Sequence, residues 1–223
     1  MPDGWLKVFG SARGYQQAAR ALEHWRFGDM PVVLARDPGE WALLLSHVPG
    51  DQVPDEPAWA AAGQWLRGFQ QRAPGDPMPL TVALGKRLDA AVRGARPHLD
   101  DAELNGVLAA WTGDHDGVER VRCHRDLHPR NWRWDGHRLG VIDFEHAAPD
   151  HPLADWVRLL DDVALDDPRM RALTGPIDGR TRSQLRDLQV LHALGSVAWG
   201  ARNDDAGILS LGLRLVRELS ASG

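Results

Sequence analysis

Apolar positions along this chain change period several times, and each change marks an element. Trp5-Leu6-Lys7-Val8-Phe9 is a short apolar run broken by one charge and reads as a strand, entered through a turn at residues 1–4. Over residues 15–27 the spacing of Ala18, Ala19, Leu22 and Trp25 is helical, with Ser11 placed to cap the start. Two more strand-like runs, 31–35 and 41–45, flank the turn sequence Asp37-Pro38-Gly39-Glu40. Beyond them the period is mostly helical. Residues 56–71 carry Trp59, Ala62, Gly63, Leu66 and Phe69 on one face, and a proline-rich loop at 72–79 separates them from helices at 80–92 and 101–111. Residues 132–134 and 138–142 flank Asp135-Gly136, a strong hairpin signal. Helices at 152–160, 182–200 and 207–219 complete the chain. Strands gather at the N-terminal end and helices dominate the rest, which predicts an α+β protein.

Tryptophan is abundant, with ten residues. Trp25, Trp59, Trp65, Trp156 and Trp199 recur with leucines and are expected to pack in the core, as is His192 on its helix face. Trp132 and Trp134 are the better candidates for the wall of a site. The net charge of −5 is interspersed and forms no basic stripe, which argues against nucleic acid as a partner. One cysteine excludes an intrachain disulfide. No apolar run reaches the length of a membrane span, and the N-terminal residues do not form a signal peptide.

The chemistry concentrates in Val121-Arg122-Cys123-His124-Arg125-Asp126-Leu127-His128-Pro129-Arg130-Asn131, followed by Val141-Ile142-Asp143-Phe144-Glu145. Asp126 lies five residues before Asn131, and Asp143 ends a short apolar run. That spacing suits magnesium-dependent phosphoryl transfer from ATP, which needs one carboxylate for the attacking hydroxyl and an amide and second carboxylate for metal. Two other readings stand beside it. The loop is a plain polar turn, or Cys123, His124, His128 and His137 form a soft metal cluster, against which the single cysteine and the absent paired spacing speak.

These motifs resemble the catalytic and metal loops of the protein-kinase-like superfamily. The His128-Pro129 pair and the Asp-Phe-Glu ending look most like aminoglycoside phosphotransferases and related small-molecule kinases. The resemblance implies a bilobal fold, with a reduced N-terminal nucleotide-binding lobe and hinge over residues 1–48 and a helical catalytic and substrate lobe over 49–223. It implies Asp126 as the catalytic base, Asn131 and Asp143 as Mg2+ ligands, and Lys7 on the ATP phosphates paired with Glu23. Backbone groups at Ser46, His47 and Val48 would meet the adenine edge. His124 would brace the loop, Asp155 would support it from the following helix, and Glu145 would order the surroundings of the metal. Arg125 is read as structural or at the substrate's edge. Lys7 stands out further because the chain holds only two lysines against 24 arginines. Asp150, Asp161, Asp162, Asp166 and Asp167 form an acidic run that either holds a cationic substrate or is merely solvated.

One part of the family's pattern does not fit. Related kinases place two strands and a phosphate-covering loop before the lysine strand, and only six residues precede Lys7. The expectation is weak MgATP binding and slow turnover. The function implied is ATP-dependent phosphorylation of a small hydroxylated molecule in the cytoplasm. The alternatives are a catalytically weak kinase-like binding or regulatory protein, and a protein kinase, for which the interval between Asp143 and Asp155 leaves no activation segment.

Overall fold

In the computed structural model, residues 4–51, 56–71 and 78–221 are described. Residues 1–3 of the turn expected at 1–4 and residues 72–77 of the loop expected at 72–79 lie outside them. Strand β1 (Gly4–Val8) pairs antiparallel with β3 (Ala42–Ser46), and β3 pairs on its other side with β2 (Val33–Asp37). The β2–β3 connection turns where expected: Asp37 Oδ1 accepts the Gly39 N–H at 3.0 Å and the Glu40 N–H at 3.2 Å. Leu43 in the central strand is fully buried, whereas Trp5, Leu6 and Val8 on the edge strand are exposed.

Helix α1 (Ala12–His24) starts where its cap dictates. Ser11 is extended, and its side chain accepts the Gly14 N–H at 3.1 Å. The helix therefore begins and ends three residues earlier than the periodicity suggested, and Trp25 turns into the core at its end. Helix α2 (Glu56–Phe69) buries the expected face. Gly63 allows it to meet α6 (Pro168–Thr174), because a Cβ there would lie 2.1 Å from the Leu173 carbonyl oxygen. Two three-residue pairings shape the site: β4 (Val121–Cys123) with β7 (Ala148–Asp150), and the expected hairpin of β5 (Trp132–Trp134) with β6 (Leu139–Val141). The segment expected as one helix at 152–160 is α5 (Ala154–Val157) running into a tighter 3₁₀ turn, Arg158–Asp161.

Four further helices, α3 (Leu80–Ala95), α4 (Asp101–Ala109), α7 (Gly179–Arg202) and α8 (Ala206–Ala221), enclose a core of Leu104, Val107, Val190, Leu194, Val197 and Val216. Helix α4 opens on a capping box between Asp100 and Glu103. The chain divides into two compact units, Met1–Pro74 with Arg120–Pro176, and Gly75–Glu119 with Ile177–Gly223. The three-stranded sheet and every site residue expected from the sequence belong to the first. The protein is thus α+β, a small strand lobe with a mostly helical C-terminal part.

The aromatic residues divide unevenly. Trp25, Trp59 and Trp65 are core residues, but Trp199 is 48% exposed and Trp156 only partly buried. Trp132 is fully buried, edge-on to Trp59 at 5.1 Å, so it is core rather than the pocket wall expected of it. His192 is half-buried. No helix among the described residues is long and apolar enough to cross a membrane.

Candidate active site

The loop after β4 is held from beneath by two buried side chains. His124 is fully buried and lies 4.6 Å from the Phe144 ring. Its Nδ1 accepts the Asp126 N–H at 3.3 Å, so Nε2 donates to the Ile142 carbonyl at 2.9 Å. Burial pushes its pKa down to about 4, against the pull of the Ile142 carbonyl and the nearby aspartates. The imidazole is therefore neutral and serves as a brace between the two loops. Asp155, also fully buried, accepts the Arg125 N–H at 2.6 Å and the Gln70 amide at 3.0 Å. Burial raises its pKa to about 6 despite these bonds. Arg125 adopts a left-handed backbone (φ 65°) and its guanidinium pairs with buried Asp150 at 3.0 Å. That geometry favours the structural reading of Arg125.

Above this brace, Asp126 and Asn131 are buried and bonded to each other. Asn131 Nδ2 donates to the Asp126 carbonyl at 2.8 Å and to Asp126 Oδ2 at 2.9 Å, which leaves Oδ1 of the amide as its acceptor atom. A 3₁₀ turn at Pro129–Asn131 sets this spacing, with His128 Nδ1 accepting the Arg130 N–H at 3.2 Å. Ile142 N–H then donates to the Asn131 carbonyl at 2.9 Å. The loop of Asp126 and Asn131 and the residue before Asp143 are thereby joined across the β5–β6 hairpin.

Asp143 follows in a left-handed conformation, φ 68° and ψ 66°. Its carboxylate is ion-paired with Lys7, and Glu145 lies 3.2 Å from the same ammonium. The segment after β3 is tied to the same hairpin: Asp51 and Trp134 exchange backbone hydrogen bonds of 3.0 and 3.1 Å. Val48 is buried against Gly140, where a Cβ would come within 2.2 Å of Val48 Cγ1. Ser46 is bound to Val32, just before β2: its N–H donates to the Val32 carbonyl and its hydroxyl oxygen accepts the Val32 N–H, while His47 is exposed.

One expectation needs correction. Glu23 does not meet Lys7: its carboxylate pairs with Arg36 on β2 at 2.5 Å. Gly14 in the first turn of α1 lies beside Glu145, and Glu23 is nine residues further along, about 13 Å at 1.5 Å per residue. The strand lysine thus finds Glu145 at the near end of α1 instead of Glu23 at the far end. The soft metal cluster weighed as an alternative does not form either: Cys123, His124, His128 and His137 do not gather into one group. Among the described residues no three His, Cys, Asp or Glu side chains are arranged around a metal, and the Cys123 thiol faces the His151 carbonyl at 3.3 Å.

The donor set suits a hard cation. Asp143 and Glu145 already share a positive group, and Asn131 Oδ1 and Asp143 are oxygen donors joined through one hydrogen-bonded backbone link. Sequence reading missed two arginines, Arg130 and Arg158, on the Asp126 carboxylate. The spacing of Arg130, four residues after Asp126, was a readable signal. Arg158 gave none.

A small strand lobe and a largely helical remainder, with these loops between hairpin and helix, form a protein-kinase-like fold. The phosphotransferase enzyme family model matches residues 8–192, and the chain belongs to that family. Among solved structures it is similar to an aminoglycoside 2'-phosphotransferase bound to GDP (TM-score 0.68, 19% identity, covering 98% of this chain and 93% of that one). It is also similar to a choline kinase from Streptococcus pneumoniae (TM-score 0.71, 16% identity, 98% and 85%). A choline/ethanolamine kinase family protein from Mesorhizobium loti is similar at TM-score 0.69 and 20% identity, over 98% and 82% of the two chains. No curated protein sequence shows a significant match.

Proposed function

We propose that the chain transfers the terminal phosphoryl group of ATP to a hydroxyl of a small molecule. The observation that carries this reading is the single hydrogen-bonded unit of Asp126, Asn131 and the Ile142–Asp143 step, with Lys7 drawn to its acidic side. In this reading Asp126 accepts the proton of the substrate hydroxyl. The freed oxygen bonds to the γ-phosphorus while the bond from that phosphorus to the β–γ bridging oxygen breaks, leaving ADP. Asn131 Nδ2 fixes the carboxylate, and the neutral imidazole of His124 keeps the Asp126 backbone in place. Asn131 Oδ1 and Asp143 would hold Mg2+, with Glu145 beside it; when bound, that ion offsets phosphate charge. Lys7 then turns from the carboxylates to the phosphates, and the segment at Ser46, His47 and Val48 offers backbone groups to the base. A protein working on ATP in this way belongs in the cytoplasm.

Replacing Asp126 with Ala should lower phosphoryl transfer by roughly 10²–10⁴-fold, the usual contribution of a positioned base. Release of ADP over a panel of amino alcohols, sugars and aminoglycosides checks this. Activity unchanged in the variant would remove Asp126 from the reaction.

A further inference from the structure

The two oxygens of Asp126 face different surroundings. Oδ2 receives Asn131 Nδ2 at 2.9 Å and so looks toward the Asn131–Asp143 side, where the nucleotide is assigned. Oδ1 lies 3.4 Å from Arg158 Nε, and Arg130 Nη2 lies 3.3 Å from Oδ1 and 3.4 Å from Oδ2. Arg158 approaches this carboxylate through Oδ1 and is also held by Asp161 at 3.3 Å. It thus sits at the oxygen that Asn131 leaves unbonded, the one the proposed reaction offers to the acceptor hydroxyl.

Carboxylates that would greet a cationic acceptor are mostly engaged by basic side chains of the chain itself. Asp150 pairs with Arg125, Asp161 with Arg158, Asp162 with His128 at 2.7 Å, and Asp167 with Arg169 at 3.0 Å. Guanidinium groups present a planar fork that suits a carboxylate or phosphate. Resting on the assignment of Asp126 as base, we infer that the acceptor is an anionic hydroxyl compound whose carboxylate or phosphate group docks against Arg158, with Arg130 at its edge. Docking has a second effect. An anion that draws the guanidiniums off Oδ1 opens that oxygen to the acceptor hydroxyl, while a neutral or cationic acceptor leaves it covered. Charge recognition is thereby coupled to exposure of the base.

Glucuronate, glucose 1-phosphate, glucose and glucosamine present similar hydroxylated rings bearing a carboxylate, a phosphate, no charge and an ammonium. Calorimetry on the full chain with MgADP reads their binding, and ADP release from MgATP reads KM and kcat. Expected is binding of at least one anionic member about tenfold or more tighter than glucose and glucosamine, a gap of about 1.4 kcal/mol or more, narrowing as salt is added. Which of the two anions binds better tells carboxylate from phosphate. Arg158→Gln should collapse this preference through KM and the dissociation constant, Arg158→Lys should keep part of it, and Arg130→Gln should weaken it if Arg158→Gln fails to fold. Preference for glucosamine, no charge preference, no binding by either anion, or an Arg158→Gln protein whose kcat falls alike for every acceptor would each overturn the inference. A charge preference without ADP release sinks the kinase reading alone; ADP release without a preference sinks this inference alone.

Discussion

Asp143 occupies a backbone region that costs a residue with a Cβ about 1–3 kcal/mol, and it is kept there by its neighbours. Ile142 N–H is bonded to Asn131, and Phe144 is buried among Trp65, Phe69 and His124. The strain aims a carboxylate at Lys7 that a relaxed strand would turn elsewhere. Asp143→Gly should relieve the strain while removing the charge. The Lys7 ion pair is partly exposed and contributes little, so the melting temperature should hold or rise. Phosphoryl transfer should nonetheless fall at least about 10²-fold, as expected when a group stabilising transition-state charge is lost. Thermal melts with ADP release on the same sample check both halves. A glycine variant with full activity would mean that the carboxylate has no part in the chemistry.

At the scale of elements, the loop that carries Asp126 is supported by two buried groups whose titrations oppose each other. His124 is pushed down to about 4, so between roughly pH 4 and 6.5 the folded chain binds fewer protons than the unfolded one and stability rises with pH. Asp155 is pushed up to about 6, so between roughly pH 4 and 6 the folded chain binds more protons and stability falls with pH. Each window spans about two units, near 3 kcal/mol at 1.4 kcal/mol per unit, and the slopes largely cancel. Asp155→Asn keeps an acceptor for the Arg125 N–H but cannot ionise. Its melting temperature should fall more steeply from pH 6.5 to pH 4 than that of the parent. Parallel curves for the two proteins would show that Asp155 is not the counterweight. Elements of this region differ in how far the sequence betrayed them. The β5–β6 hairpin was plain from Asp135-Gly136, because turn chemistry is local. Strands β4 and β7 are three residues each, too short to show a period, and exist by pairing with each other. Helix α6 has seven residues, and only Asp167-Pro168, a capping side chain before a first-turn proline, announces it.

On the scale of the whole molecule, the fold class and the grouping of Asp126, Asn131 and the Ile142–Asp143 step were legible because both rest on local pattern: periodicity for the helices, fixed spacing for the loop residues. What depended on distant partners was not. Lys7 meets Glu145 and not Glu23, Trp199 faces solvent, and Arg158 reaches Asp126 from 32 residues away. The second compact unit is locked by its own polar cluster. There Asp187, fully buried, accepts the Thr112 N–H at 2.7 Å, the Thr112 hydroxyl at 3.0 Å and the Gly113 N–H at 2.8 Å, and pairs with His115 at 3.0 Å. Burial opposes its ionisation, but these bonds outweigh burial and hold its pKa below the usual carboxylate range. Its stabilisation is thus complete above about pH 4 and is lost as pH falls through the lowered value. Asp187→Ala should cost about 3 kcal/mol in urea unfolding at pH 7, with MgADP affinity retained below the transition. Loss of nucleotide binding in the folded variant would tie the site to this unit.

Calorimetric titration of ADP with and without Mg2+ into the parent, Asp126→Ala and Asp143→Ala proteins tests the central claim most directly. The account predicts magnesium-dependent binding that survives in Asp126→Ala and weakens at least about tenfold in Asp143→Ala, since the first residue serves the hydroxyl and the second the metal. Equal, magnesium-independent affinity in all three proteins would contradict it.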